Sequence, residues 1–95
     1  MAIRFCSLSS GSSGNCLFLS SGASSVLVDA GLSGKRVAQL LNQMGETPRA
    51  VEAILVTHDH IDHISGIGVL SRRFDIPVFA NAATWRAMED KIGEI

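Results

Sequence analysis

The run His58-Asp59-His60-Ile61-Asp62-His63, directly behind Ala53-Ile54-Leu55-Val56-Thr57, decides how this chain is read. It holds all three histidines of the chain and sets two carboxylates among them. Imidazole nitrogens bind borderline ions such as zinc, and carboxylates bind the same ions or harder ones, so the cluster suits Zn²⁺, Mn²⁺ or Fe. Histidine is absent elsewhere, and the cluster follows an apolar segment, which argues against a chance grouping on a solvated loop.

Spacing assigns the ligands. If the strand Ile54 to Thr57 continues into the motif, alternation puts His58 and His60 on one side and Asp59 and Ile61 on the other. His58 and His60 then clasp one ion. Asp62 and His63 are adjacent, and in the first turn of a helix they sit about 100° apart, where they bracket a second ion. Two divalent metals about 3.5–4 Å apart activate a bridging water and clamp the transition state of a hydrolysis. Asp62 and His63 are thus the catalytic candidates, and His58, His60, Asp62 and His63 the metal ligands. Asp59 either orients a histidine through its second ring nitrogen or is simply solvated. Thr57 and Asp29 are supporting candidates of the same kind, with a strand-end turn as the alternative for Asp29.

Thr57 to His63, T-H-D-H-I-D-H, resembles the H-x-H-x-D-H signature of the metallo-β-lactamase superfamily. Val26 to Gly31, V-L-V-D-A-G, resembles that superfamily's first motif, a strand ending in an aspartate. The stretch Cys6 to Leu19, C-S-L-S-S-G-S-S-G-N-C-L-F-L, resembles the YycJ-like (VicX-like) subgroup of metallo-hydrolases, which is linked to nuclease activity in DNA repair. The resemblance implies an α/β (α+β) chain that is the N-terminal half of a four-layer αββα sandwich, with a mostly antiparallel or mixed sheet and helices on one face. It also implies metal ligation by His58, His60, Asp62 and His63, with Asp29 behind them, and DNA or another phosphodiester as substrate. Thioesters and lactones are turned over on the same fold, so fold alone does not choose. The family's remaining histidines and its bridging aspartate lie downstream of anything present here. Residues 1–95 are therefore expected to be one truncated portion of a domain. A catalytically incomplete half-domain with weak metal binding is the competing expectation.

Composition sets the outer bounds. A net charge of −1 gives no global attraction to nucleic acid or an anionic membrane. The basic residues at Lys35–Arg36, Arg72–Arg73, Arg86 and Lys91 read as solvated helix faces. A hydrophobic share of 46 % and a mean hydropathy of +0.28 suit faces that need a further half to cover them, and predict self-association of the chain alone. No apolar run approaches the roughly 20 residues needed to span a membrane. Met1 to Leu8 is too short and mixed for a signal peptide, so Cys6 and Cys16 read as reduced thiols of a cytoplasmic protein. Both are expected far from any metal partner.

Local pattern supplies the elements. Ile3 to Leu8, Cys16 to Ser20 and Ser25 to Asp29 read as an antiparallel meander. The Ser/Gly loop between the first two, Ser9 to Asn15, either serves as a plain hairpin turn or brings Ser12 and Asn15 to substrate. Ser33 caps a helix to Met44, which Gly45 ends, with Val37, Leu40, Leu41 and Met44 on one face. Val51 to Val56 leads to the motif as a strand buried on both faces. Ile64, Ile67, Leu70 and Phe74 mark a helix face, Ile76 to Ala80 a short strand, and Asn81 the cap of a helix from Ala82 to about Lys91.

Overall fold

The computed structural model describes residues 3–11 and 14–93, apart from the side chains of residues 61 and 62. Five strands, β1 (Ile3–Ser9), β2 (Cys16–Ser21), β3 (Ser24–Val28), β4 (Ala53–Leu55) and β5 (Val78–Phe79), form one sheet in chain order. The first three are the expected meander, antiparallel with Cys6 opposite Phe18 and Leu17 opposite Val28. From β3 onward the pairing is parallel, with Leu27 beside Ile54 and Ile54 beside Val78. Parallel neighbours need crossovers, and helices supply them. Helix α1 (Gly34–Gln43) joins β3 to β4, and α2 (Ile61–Ile64) with α3 (Ile67–Phe74) joins β4 to β5. Helix α4 (Ala82–Ile92) follows, and a 3₁₀ turn at Pro48–Ala50 precedes β4. The class is α+β with a mixed sheet.

The helix ends follow from their capping residues. Ser33 Oγ accepts from Arg36 N at 3.2 Å, and Asn81 Oδ1 accepts from Thr84 N at 2.8 Å. At the end of α1, Gly45 takes φ +81 and donates to Asn42 O, while Glu46 N reaches Leu41 O, the paired bonds of a Schellman motif.

The core lies on one side of the sheet. Phe18, Leu27 and Ile54 project from the strands onto Val37 and Leu41 of α1, Ile67 and Leu70 of α3, and Met88 of α4, all fully buried. Paired strand residues share a face, so Phe5, Leu19 and Val26 lie on the opposite one with Val28, Leu55 and Phe79. There Phe5 is 68 % and Phe79 54 % exposed. This corrects the expectation for β4. Ile54 is fully buried but Leu55 is 40 % exposed, because among the described residues no element covers that face.

Three further expectations shift. β4 stops at Leu55, since Val56 N makes the last bond to the neighbouring strand, at Phe79 O, and the next amide turns to a side chain. The strand expected over Ile76 to Ala80 shrinks to Val78–Phe79, Ile76 N being spent on Ser71 O. The apolar stripe after His63 is real, with Ile64, Ile67 and Leu70 buried, but it runs over two helices broken at Ser65–Gly66. Gly66 presses against the Leu32 carbonyl oxygen and donates to Ala30 O at 2.7 Å, so the chain turns there to follow the segment behind β3.

Candidate metal centre

The motif lies beyond the carboxyl ends of the parallel strands β3 and β4, the usual place for a site in such sheets. Asp29 leaves β3 with φ +62, one of two described non-glycine residues in the left-handed region. Aspartate tolerates that conformation better than most side chains. Its backbone N–H still bonds Leu55 O at 2.7 Å, which ties the turn to β4. Ala30 N to His63 O at 2.9 Å and Gly66 N to Ala30 O then stitch the segment behind β3 to the motif helix. The site rests on backbone bonds between two strand ends.

Asp29 is the hub. Its side chain is 7 % exposed, and three donors reach it. Thr57 N donates to Oδ1 at 2.7 Å, Thr57 Oγ1 to Oδ2 at 2.5 Å, and His63 Nδ1 to Oδ2 at 2.8 Å. The first of these ends β4 by taking the Thr57 amide out of the ladder. Thr57 Oγ1 also lies 2.9 Å from His58 Nδ1. Since its single proton goes to the carboxylate, the hydroxyl oxygen accepts from His58 Nδ1–H. Both histidines therefore use Nδ1 as donor, and each keeps Nε2 as a lone-pair atom. A second hydrogen bond of this kind fixes tautomer and ring direction in metal-binding histidines.

His58 and His63 face each other with ring centroids 4.7 Å apart and planes tilted by 51°. His60 stacks beside His58 at 6.2 Å and 28°. The strand alternation expected to place His58 and His60 together is absent, because the strand has already ended, and a loop brings the rings alongside instead. The closer histidine pair is His58 with His63, five positions apart. Ligand atoms of Asp29, His58 and His63 all lie within 4.8 Å of one another. Asp29 is nonetheless a poor direct ligand here, since both its oxygens are held by donors from Thr57 and His63. It orients, and the two imidazoles are the candidate ligands. This donor set fits a divalent ion. The Asp62 side chain and Ser12 lie outside the described residues.

The remaining expected residues divide. Asn15 comes to the site. Its Nδ2 lies 3.4 Å from His63 Nε2 and donates to Gly11 O at 3.0 Å, while Oδ1 accepts from Gly11 N at 3.2 Å. The side chain thus ties Gly11 to the neighbourhood of the histidine. Asp59 turns outward, with Oδ2 3.7 Å from Lys91 Nζ and its carbonyl accepting from the same ammonium at 3.3 Å. This half-exposed partner from α4 was illegible in the sequence, where 32 positions separate the two.

Cys16 corrects its expectation too. It opens β2 next to Asn15, at the site end of the strand, and is 2 % exposed. Burial, reinforced by the negative charge of Asp29, pushes its thiol up to about 12. A thiol so held is protonated and inert at neutral pH. Both cysteines are free, and Cys6 faces Phe18 rather than Cys16 across the hairpin.

Comparison with known proteins bears on the fold and the family. The family model described as the metallo-beta-lactamase superfamily matches residues 10–95. The exodeoxyribonuclease YycJ of Bacillus anthracis is 50 % identical over 95 residues, which are 100 % of this chain and 36 % of that protein. The exodeoxyribonuclease WalJ of Streptococcus pneumoniae is 46 % identical over 90 residues, 95 % of this chain and 34 % of that one. Among solved structures, a B3 metallo-beta-lactamase with an active-site glutamic acid superposes with a TM-score of 0.72 at 28 % identity, over 79 % of this chain and 29 % of that chain. The chain thus spans about a third of the length of the relatives it matches.

Proposed function

The chain belongs to the metallo-β-lactamase superfamily, and on that premise we propose that it carries the first ligand arm of a metal-dependent phosphodiesterase that removes nucleotides from DNA. One observation carries this reading: a single buried carboxylate, Asp29, sets both His58 and His63, directly and through Thr57, so that each ring is oriented through Nδ1 and would present Nε2 as its ligand atom. His58 and His60 hold one ion, and Asp62 and His63 the other. Zinc or manganese suits the imidazole and carboxylate set, and iron is compatible with it. Divalent ions there supply Lewis-acid stabilisation of a phosphodiester's attacking and leaving oxygens. The chain's own residues do the positioning. Asp29 accepts the Nδ1 proton of His63 and, through Thr57, that of His58. Asn15 ties Gly11 to the side chain beside His63, and Asn15 and Ser12 are assigned to substrate contact.

DNA is the substrate of choice because two relatives alike over nearly the whole chain are named exodeoxyribonucleases. Residues 1–95 form one portion of a larger sandwich whose second sheet covers Phe5, Leu55 and Phe79, and the portion alone self-associates through that face. Among the described residues no helix is long and apolar enough to cross a membrane. We place the protein in the cytoplasm, with its two thiols reduced.

The test is an end-labelled duplex incubated with the intact protein and Mn²⁺ or Zn²⁺. Stepwise nucleotide release, abolished by a chelator and by His58→Ala, is expected. Turnover of a thioester with no DNA cleavage under either metal would sink the nuclease reading.

A further inference from the structure

Three basic residues scattered along the sequence are gathered by the fold. Lys35 comes from the first turn of α1, Arg49 from the 3₁₀ turn, and Arg73 from the last turn of α3. All three line one open groove of about 400 Å³ between these elements. Gln39 and Asn42 join Lys35 in it from α1, at the i+4 and i+7 positions of one helix face. No aspartate or glutamate lines it. Among the described residues, no ion pair holds Lys35, Arg49 or Arg73. In a chain whose net charge is −1, this is a marked separation of charge.

The two guanidiniums are also preset. Arg49 and Arg73 both lie over the Phe74 ring, 5.5 and 5.3 Å from its centroid. Cation–π contact steadies each head group, but it neutralises neither. Two guanidiniums on one ring and a lysine lining the same groove, without a counter-charge, repel one another, and an anion that spans them relieves this. Planar guanidinium forks suit phosphate in particular.

We infer that this groove binds the phosphate backbone of duplex DNA, as a second contact outside the metal centre. The inference rests on the proposed DNA substrate. Its placement suits the role. α1 and α3 both start beside the centre, Gly34 against Val69 and Gly66 against Leu32. At a rise of 1.5 Å per residue, the far ends of these helices lie about 10–15 Å away. That is roughly three or four steps of 3.4 Å along one strand. A duplex whose end is held at the histidines would meet the groove a few base pairs inward. Because only backbone is touched, the contact is indifferent to sequence.

The experiment measures equilibrium binding of the intact protein to a blunt duplex, in chelator, across a salt series. The variant is Lys35→Gln/Arg49→Gln/Arg73→Gln, which removes the three charges and leaves a neutral polar group at each position. It should flatten the slope of log K against log salt by about 0.9 for each phosphate no longer neutralised, and weaken binding roughly tenfold or more at 0.1 M salt. Arg49→Lys/Arg73→Lys should keep the slope, since charge is retained. Hydrolysis of the small diester bis(p-nitrophenyl) phosphate should be unchanged in both, which reports that the fold and the centre are intact. An unchanged slope in the triple variant overturns the groove, whatever the nuclease activity. So does abolished binding to polyglutamate with DNA binding unaltered, which assigns the groove to acidic polypeptides. Groove-dependent DNA binding without cleavage under any metal leaves the groove standing and removes only the nuclease reading.

Discussion

At the scale of single residues, Asp29 does more than any histidine, because it decides which nitrogen each histidine presents. Asp29→Asn isolates that role. Asparagine accepts the left-handed backbone of φ +62 as readily as aspartate, so the turn should survive. Its amide cannot accept from Thr57 N, Thr57 Oγ1 and His63 Nδ1 together, which disturbs the ring tautomers. Metal affinity should fall about 10–100-fold, as it does when supporting partners of metal ligands are removed, with circular dichroism unchanged; calorimetric titration with Zn²⁺ checks it. Thr57→Ser should preserve affinity and Thr57→Val should lower it, since only the hydroxyl links His58 to Asp29. Cys16 gives a pH prediction with a definite sign. Its folded value, about 12, stands above the ordinary thiol value of 9.0, so above pH 9 the unfolded chain gives up a proton that the folded one keeps. Stability is therefore full below pH 9 and falls between pH 9 and 12, at up to about 1.4 kcal/mol per pH unit. Urea midpoints across that range should drop for the natural chain and drop less for Cys16→Ala. An equal drop in both would assign the effect elsewhere.

At the scale of elements, two glycines carry separate duties. Gly45 ends α1 in a left-handed conformation with open space around it. Gly45→Ala should cost about 1 kcal/mol through backbone strain alone, read as a lower urea midpoint with metal binding intact. Gly66 stands between α2 and α3, where an added Cβ would run into the Leu32 carbonyl oxygen. Gly66→Ala should cost about 1–3 kcal/mol as overpacking. It should also weaken metal binding, because the displaced turn carries His63, whose carbonyl accepts from Ala30 N at 2.9 Å. Equal metal affinity in the two variants would show that the turn does not position the histidine. The Asp59–Lys91 pair is half exposed and contributes little to stability.

At the scale of the whole molecule, a sheet with helices on one side leaves Ile3, Phe5, Leu55 and Phe79 uncovered. Contiguous apolar surface of this kind drives association. The 95-residue chain by itself should self-associate in light scattering, and Phe5→Glu/Phe79→Glu should shift it towards monomer; a monomeric natural chain would contradict this. Much of the arrangement is legible in the sequence, and what is legible is local. Periodicity marks the meander and the α1 face, Ser33 and Asn81 mark the caps, and the spacing of His58 to His63 marks the centre, since each is written in residues a few positions apart. What is illegible depends on distance along the chain. That β4 ends at Leu55 follows from a carboxylate 28 residues earlier taking the Thr57 amide. Asp59 meets a lysine 32 residues on, and Cys16 is buried beside a carboxylate from another strand. The sequence by itself pointed to the family and to a candidate metal site, because the motifs that carry both are written in residues a few positions apart. Only the tertiary structure decided that His58 pairs more closely with His63 than with His60, that Asp29 serves both rings, and that three scattered cations share a groove, because each depends on how strand ends and helices meet in space.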